Sequence, residues 1–146
     1  MSIEGDLRTA LLDMSAVTDL VGTGDSARIR PYRLHESDDR TEEHIVIEVD
    51  SEDRENDLTG KAGLVLASVN ISCRAMTRTL ANALAEAVRV NGTNPGTGLA
   101  GYTGSGTAFD SWLEDETPSM TRWDDASDRV WHTVEQSYMV QYTETT

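Results

Sequence analysis

The sequence predicts an α+β fold: an antiparallel or mixed sheet of about five strands with two helices packed on one face. Three observations predict this fold class. Several segments alternate apolar and polar residues with the period of a half-buried strand, two segments repeat apolar residues at helical spacing, and strands outnumber helices. No internal repeat and no linker divides the 146 residues, so we expect one domain over residues 1–146.

The two predicted helices lie near the N-terminus and in the middle of the chain. Residues 3–17 repeat apolar side chains at helical spacing, and the stripe continues to Val21. Residues 77–90 carry the clearer stripe, which comprises Met76, Leu80, Ala83, Leu84, Ala87 and Val88. Thr77 is the expected N-cap of this helix, and Asn91–Gly92 is its expected left-handed end.

Five segments have the pattern or composition of strands, namely 27–32, 44–50, 63–74, 107–115 and 129–143. In the third segment the odd-numbered residues from Val65 to Cys73 form the expected core face. The segments between the strands are charged or rich in glycine and proline, which predicts loops at 35–43, 51–60, 92–106 and around Pro118.

The charge of the chain is strongly negative. It has 26 acidic residues against 12 basic ones, a net charge of -14, and Lys61 is its only lysine. Affinity for DNA comes mostly from cations placed against phosphates, so we expect no nonspecific DNA-binding role. An acid-rich, lysine-poor surface is typical of proteins from salt-loving organisms, and it also suits a surface that faces DNA without binding it.

The sequence also indicates where the protein resides. It contains neither an apolar run of 18 residues nor a charged-then-apolar leader, so we expect a soluble chain without a membrane partner. Cys73 is the only cysteine, which excludes an intrachain disulfide and a zinc cage built of cysteines.

One motif suggests a nucleotide. Residues 96–101, Gly-Thr-Gly-Leu-Ala-Gly, match the G-x-G-x-x-G pattern of dinucleotide-binding loops. Such a loop follows a strand and opens a helix, whose N-terminus holds the pyrophosphate. Here the pattern follows the end of a predicted helix and precedes a strand. We therefore expect no nucleotide and no other cofactor.

The remaining candidates for chemistry have simpler explanations. The histidines His35, His44 and His132 lack partners at metal-ligand spacing, and Cys73 falls on the predicted core face. The acid cluster at 50–57 lacks the glycine and terminal glutamate of an EF-hand, so it predicts a solvated hairpin tip. We expect no catalytic residue and no metal site, and hence a protein that is not an enzyme.

The order of segments resembles a known family. A helix with "LRTALLDMSAVTDLVG" is followed by "ARIRPYRL", "HIVIEVDS", "VLASVNISCRA", the alanine-rich "TRTLANALAEAVRVN", a glycine-rich loop and a strand ending in "VQYTE". This layout, over about residues 4–142, is similar to the tail completion or tail terminator proteins of long-tailed phages. Two long acidic loops and the strong negative charge depart from the family pattern.

The resemblance implies a structural virion protein. Members of the family form a hexameric ring at the head-proximal end of the tail, where the ring stops polymerisation of the tail tube protein and joins the tail to the head–tail connector protein. DNA passes through the lumen without specific binding. The chain would assemble in the host cytoplasm and reside in the virion.

Two segments are the candidates for contacts with a neighbouring subunit or protein. They are the hairpin tip at 50–63 and the loop at 92–106, because unpaired strand edges and long hairpins commonly pair with neighbours. The residues that we expect to make these contacts are Asp50, Glu52, Asp53, Arg54, Asp57, Leu99 and Tyr102.

Two other classes of function remain open. An acidic inhibitor that mimics DNA would space carboxylates like phosphates along one face, whereas here they cluster in loops. A small enzyme or ligand-binding domain would need a pocket with converging polar groups.

Overall fold

The structure is a computed structural model, and it describes residues 3–33, 38, 41–55, 64–92, 98–103, 109–122 and 129–143. Two helices, α1 (Ile3–Leu12) and α2 (Ser15–Val21), are followed by a 3₁₀ turn at Gly24–Ser26. The strands are β1 (Ile29–Pro31), β2 (His44–Glu55), β3 (Leu64–Ala75), β4 (Tyr102–Thr103), β5 (Phe109–Arg122) and β6 (Val130–Thr143). Helix α3 (Arg78–Val90) lies between β3 and β4 in the chain.

The described strands form one mixed sheet in the order β1-β2-β3-β6-β5-β4. Strand β1 pairs parallel to β2, and every other neighbouring pair is antiparallel. The predicted α+β class with a mixed sheet is confirmed. The sheet has one strand more than the five or so that we expected. The additional strand is β4, whose two residues are too few to show a pattern in the sequence.

The helices pack on one face of the sheet, which we call the helix-covered face. Its core joins the apolar sides of the three α-helices to alternate residues of the strands. The odd-numbered residues of β3 from Val65 to Cys73 are fully buried there, as predicted from their alternation. Burying such a set of apolar side chains supplies most of the stability of a domain of this size.

The predicted N-terminal helix is divided into two, so a single helix over 3–17 is wrong. The Asp13 amide contacts the carbonyl oxygens of both Thr9 and Ala10, which tightens the last turn of α1. Met14 is then extended, with φ -92° and ψ 108°, before α2 begins. Met14 is buried in the core, so the break in the helix still leaves the apolar stripe on the sheet.

Helix α3 begins and ends as predicted. The Thr77 hydroxyl accepts a hydrogen bond from the Leu80 amide at 3.2 Å, and Asn91 adopts the left-handed conformation at φ 50°. The predicted apolar stripe of this helix is partly wrong, since Leu80 is 38 % exposed and Ala83 is also exposed. Alanines take their place against the sheet, and the side chains buried from α3 are Ala81, Leu84, Ala85, Ala87 and Val88.

Two strands are longer than the sequence predicted. Strand β2 continues through the first half of the expected charged loop to Glu55, because residues 51–55 pair with β3 after a bulge between Val49 and Ser51. Strand β5 continues past Pro118, the expected loop residue, to Arg122 and pairs with β6 along its whole length. Proline is compatible with a strand at the edge of a sheet, where its missing N–H breaks no ladder bond.

Candidate functional site

The outer edge of β5 is long and has features that prevent another strand from pairing with it. Strand β4 pairs only with Asp110 and Ser111, and no other described strand lies along the rest of β5. A bulge follows Leu113, the side chain of Asp115 accepts a hydrogen bond from the Glu116 amide at 2.9 Å, and Pro118 has no amide hydrogen. Bulges, prolines and satisfied amides all prevent another strand from adding to an edge. We therefore expect β5 to meet a neighbour through its side chains.

Several of those side chains are exposed. Trp112 is 39 % exposed and Met120 is 62 % exposed, and residues 114–118 between them are exposed and carry three carboxylates. The indole nitrogen of Trp112 donates to Glu114 at 2.9 Å. An exposed tryptophan and methionine in an acidic surface are typical of a protein contact.

A chain of polar side chains attaches β5 and β6 to α3. Arg89 donates to both carboxylate oxygens of Glu116, at 3.2 and 3.0 Å. The Gln136 amide donates to Glu116 at 2.7 Å and to the Ala85 carbonyl at 2.9 Å, and it accepts from the Tyr138 hydroxyl at 2.9 Å. Gln136 is fully buried, which is uncommon for a glutamine. This network fixes the exposed part of β5 relative to the helix layer.

The other edge of the sheet carries a groove, which we call the edge groove. It has a volume of about 420 Å³ and is lined by Glu4, Tyr32, Val49, Ser51 and Glu52. Helix α1 supplies Glu4, the turn after β1 supplies Tyr32, and β2 supplies the other three. Sequence reasoning identified Glu52 but missed Glu4 and Tyr32, because only the tertiary fold brings α1 beside β2.

Tyr32 is the central residue of the edge groove. Its φ of 65° is left-handed, which is uncommon for a tyrosine and turns the chain away from β2 after Pro31. Its amide still donates to the Ile47 carbonyl at 2.9 Å, and its hydroxyl donates to Glu4 Oε1 at 2.9 Å. The hydrogen bond to Glu4 is the main cause that raises the pKa of Tyr32, and the charge of Glu48 adds to it.

The predicted contact residues are placed differently from one another. Asp50 and Glu52 are exposed on β2, as a contact requires. Asp53 and Arg54 belong to the same strand, with side chains that lie outside the described part, and Asp57 is also outside it. Whether any of them touches a neighbour stays a prediction.

Leu99 and Tyr102 come from the glycine-rich segment. Tyr102 lies in β4, whereas Leu99 is fully buried in the core of its own chain. The Leu99 amide donates to the Val88 carbonyl at 2.8 Å, and that bond draws the side chain beneath the end of α3. The expectation that Leu99 contacts a neighbour is therefore wrong.

The same segment explains why its glycine pattern has no nucleotide geometry. The amides of Leu99 and Ala100 donate to the last carbonyls of α3, so this part of the motif caps a helix C-terminus. A side chain at Gly98 would collide with the backbone of Arg89 and Val90. A phosphate prefers a helix N-terminus, where amides point outward, and the C-terminus has the opposite dipole. The glycine pattern here serves close packing.

The outer face of the sheet, opposite the helices, holds a second polar cluster. His44 is fully buried, and its ring meets Trp131 edge-on with the centroids 4.7 Å apart. The Arg74 guanidinium lies over the same ring, 5.0 Å from its centroid. Burial is the main cause that lowers the pKa of His44 to about 4, so the ring is neutral at pH 7. Within the described part of the chain, His44 Nε2 and Arg74 Nε have no hydrogen-bond partner.

The other candidate reactive groups are buried or dispersed. The Cys73 thiol is fully buried, and burial raises its pKa well above the usual range, so it remains protonated. Within the described ranges no three acidic, histidine or cysteine side chains are grouped as a metal site. No described helix is long and apolar enough to cross a membrane.

The comparisons with known proteins support the fold. No protein-family model and no curated protein matches the chain. Among solved structures, the chain is similar to a chain in the virion of the native gene transfer agent (GTA) particle. The TM-score is 0.59 at 15 % sequence identity, and the match covers 98 % of this chain and 96 % of that chain. At this identity the likeness shows the fold alone, and it extends over nearly the whole of both chains.

Proposed function

We propose that this chain is a structural virion protein of a phage-like particle, without enzymatic activity. The observation that carries the proposal is the fold shared, end to end, with a chain of the gene transfer agent virion. The resemblance of the segment order to tail terminator proteins supports the same class.

Within the virion we propose the head-proximal end of the tail as its position. There a ring of copies, six by the family resemblance, would stop growth of the tail tube and present a surface to the head–tail connector protein. The two edges of the sheet suit lateral contacts in such a ring, since they lie on opposite sides of each protomer. Heterologous contacts between unlike surfaces are what closes a ring.

The net charge of -14 agrees with a protein through which DNA passes. A ring built from such chains repels phosphates on any surface where the acidic residues dominate. DNA could then slide through the lumen without binding to it.

Imaging of the assembled particle tests the proposal. Cryo-electron microscopy of particles from cells that encode the chain would resolve the head–tail joint, and we expect a ring of this fold between the tail tube and the connector. In that ring, segments 50–63 and 92–106 should touch neighbouring chains. A joint made only of other folds, or both segments projecting into solvent, would contradict the assignment.

A further inference from the structure

We infer that Tyr32 is a cap that keeps the outer edge of β2 from pairing with the same edge of a second copy. The cap acts on the free chain, whatever position the protein takes in the virion. It has three parts, which are the early end of β1, the left-handed conformation of Tyr32 and the side chain of that residue.

Strand β2 is longer than the strand that covers its outer edge. Strand β1 pairs only with the residues from Ile45 to Ile47, whereas β2 continues to Glu55, and no described strand lies along the outer side of this continuation. The Ile45 amide and the Ile47 carbonyl both make hydrogen bonds on the β1 side. Since alternate residues of a strand direct their backbone groups to the same side, Val49 presents the next amide at this edge.

Tyr32 meets that amide with its side chain. At φ 65° the backbone of Tyr32 turns away from β2, in a conformation that is uncommon for a tyrosine. In a longer parallel pair the Val49 amide would donate to the Tyr32 carbonyl, and here it donates to the Tyr32 hydroxyl. The same hydroxyl donates to Glu4 Oε1 at 2.9 Å. The hydrogen bond with Glu4 raises the pKa of Tyr32, and the one with the Val49 backbone opposes this effect.

The ring of Tyr32 also takes up space at the edge. It is 54 % exposed, and it lines the edge groove together with Val49 and Ser51 of β2. A strand that adds to a sheet lies about 4.8 Å from its new neighbour. An added strand and the ring would therefore occupy the same space beside β2.

The strand that the cap excludes is β2 of a second copy. Among the strands that the structure describes, the other long edge is that of β5, which the bulge after Leu113, the Asp115 carboxylate and Pro118 already protect. Two β2 edges related by a twofold axis would pair antiparallel in an isologous contact. The net charge of -14 on each copy opposes this contact as well, but salt screens that repulsion and leaves the cap in place.

Hydrogen exchange of the isolated chain tests the cap directly. Tyr32→Phe keeps the ring and removes only the hydroxyl. Tyr142→Phe is the matched control, because its hydroxyl also donates to a glutamate but lies on β6, which has a strand on either side. The Val49 amide should exchange roughly two- to tenfold faster in Tyr32→Phe, the change expected for one lost hydrogen bond. In Tyr142→Phe it should exchange at the rate of the parent chain.

Self-association shows what the cap prevents. Tyr32→Gly removes the whole ring and suits the left-handed backbone. Sedimentation equilibrium in 1 M NaCl, where the Debye length is about 3 Å, should give a lower dissociation constant for the dimers of both Tyr32 variants than for the parent. We expect a decrease of roughly two- to tenfold for Tyr32→Phe and a larger one for Tyr32→Gly. With rising concentration, exchange should slow along β2 and stay unchanged along β5.

Three results would overturn the inference. They are equal exchange of the Val49 amide in the parent and in Tyr32→Phe, equal association of the Tyr32→Phe and Tyr142→Phe variants, and association that protects β5 instead of β2. Melting temperatures within a few degrees of the parent chain establish that a variant is folded. Tyr32→Phe, the most conservative change, decides the test even where Tyr32→Gly fails to fold.

Discussion

The two faces of the sheet differ in how their buried groups are satisfied. The helix-covered face is an apolar core in which the buried side chain of Gln136 has hydrogen-bond partners for both its amide nitrogen and its amide oxygen. The outer face buries His44, Ser72 and Thr133 beside Trp131, and three of its polar atoms have no hydrogen-bond partner among the residues that the structure describes. They are His44 Nε2, Asn70 Oδ1 and Arg74 Nε.

The difference indicates where the stability of the protein comes from. A buried polar atom without a partner costs roughly 1–3 kcal/mol, so the outer face contributes less per buried side chain than the helix-covered face. The helix-covered face therefore supplies more of the stability, and we expect substitutions on the outer face to be tolerated better. The following predictions test this contrast, from the largest expected effect to the smallest.

Adjacent residues of β3 give the sharpest contrast. Ile71 is fully buried in the helix-covered core, and its neighbour Ser72 is buried on the outer face at 2 % exposure. Ile71→Ala should lower the free energy of unfolding by about 2–5 kcal/mol, because it leaves a cavity. Ser72→Ala should lower it by less than about 1 kcal/mol. Urea denaturation of both variants measures this, and similar losses would remove the distinction between the faces.

Histidine 44 gives the outer face a dependence on pH. Its pKa is lowered from 6.5 to about 4 by burial, so the unfolded chain binds a proton between these values while the folded chain does not. Stability due to His44 is therefore complete above pH 6.5 and falls by about 3 kcal/mol as pH decreases to 4.

The variant His44→Phe keeps an aromatic ring beside Trp131 but cannot titrate. The free energy of unfolding is measured for the parent and the variant from pH 7 to 4. Over this range the parent should lose about 3 kcal/mol more than the variant. The other titrating groups are the same in both proteins and cancel. A difference independent of pH would mean that the ring is protonated in the folded state or reaches solvent.

The polar network on the helix-covered face should be sensitive to loss of Gln136. Gln136→Ala removes the partner of the buried Tyr138 hydroxyl and breaks the attachment to Ala85 and Glu116, so we expect a loss of about 1–3 kcal/mol. Chemical denaturation measures the loss, and hydrogen exchange should accelerate first in β5. A loss under about 0.5 kcal/mol would show that the network contributes no more to stability than an exposed ion pair does.

The smallest effect on stability is expected at the β5 edge. Pro118→Thr restores an amide hydrogen at the exposed edge and should change the free energy of unfolding by less than about 0.5–1 kcal/mol. Sedimentation velocity should instead show more self-association, because a barrier to strand addition is removed. Ser119→Thr, one residue along the strand, is the control. Equal association of the two variants would show that Pro118 does not protect this edge.

The sequence correctly predicted features that depend on nearby residues. The alternation in β3 identified its core face, and Thr77 and Asn91 correctly marked the ends of α3. Each of these features depends on neighbours within a few residues, where periodicity and capping are strong.

Features that depend on distant partners were missed. The charged residues after Asp50 predicted a loop, yet β2 continues through them and pairs with β3 up to Glu55. Leu99 read as a loop residue, yet the end of α3 draws it into the core. The edge groove joins Glu4, Tyr32 and Glu52, which are far apart in the sequence, so no motif could have revealed it.

Tail length in the absence of the protein tests the central proposal most directly. The coding gene would be deleted in cells that make the particle, and the lysate would be examined by negative-stain electron microscopy. We expect filled heads without tails together with free tails of irregular, extended length, and restoration by the gene in trans. Complete particles with tails of normal length, or loss of heads while the tails stay normal, would contradict a role in ending and joining the tail.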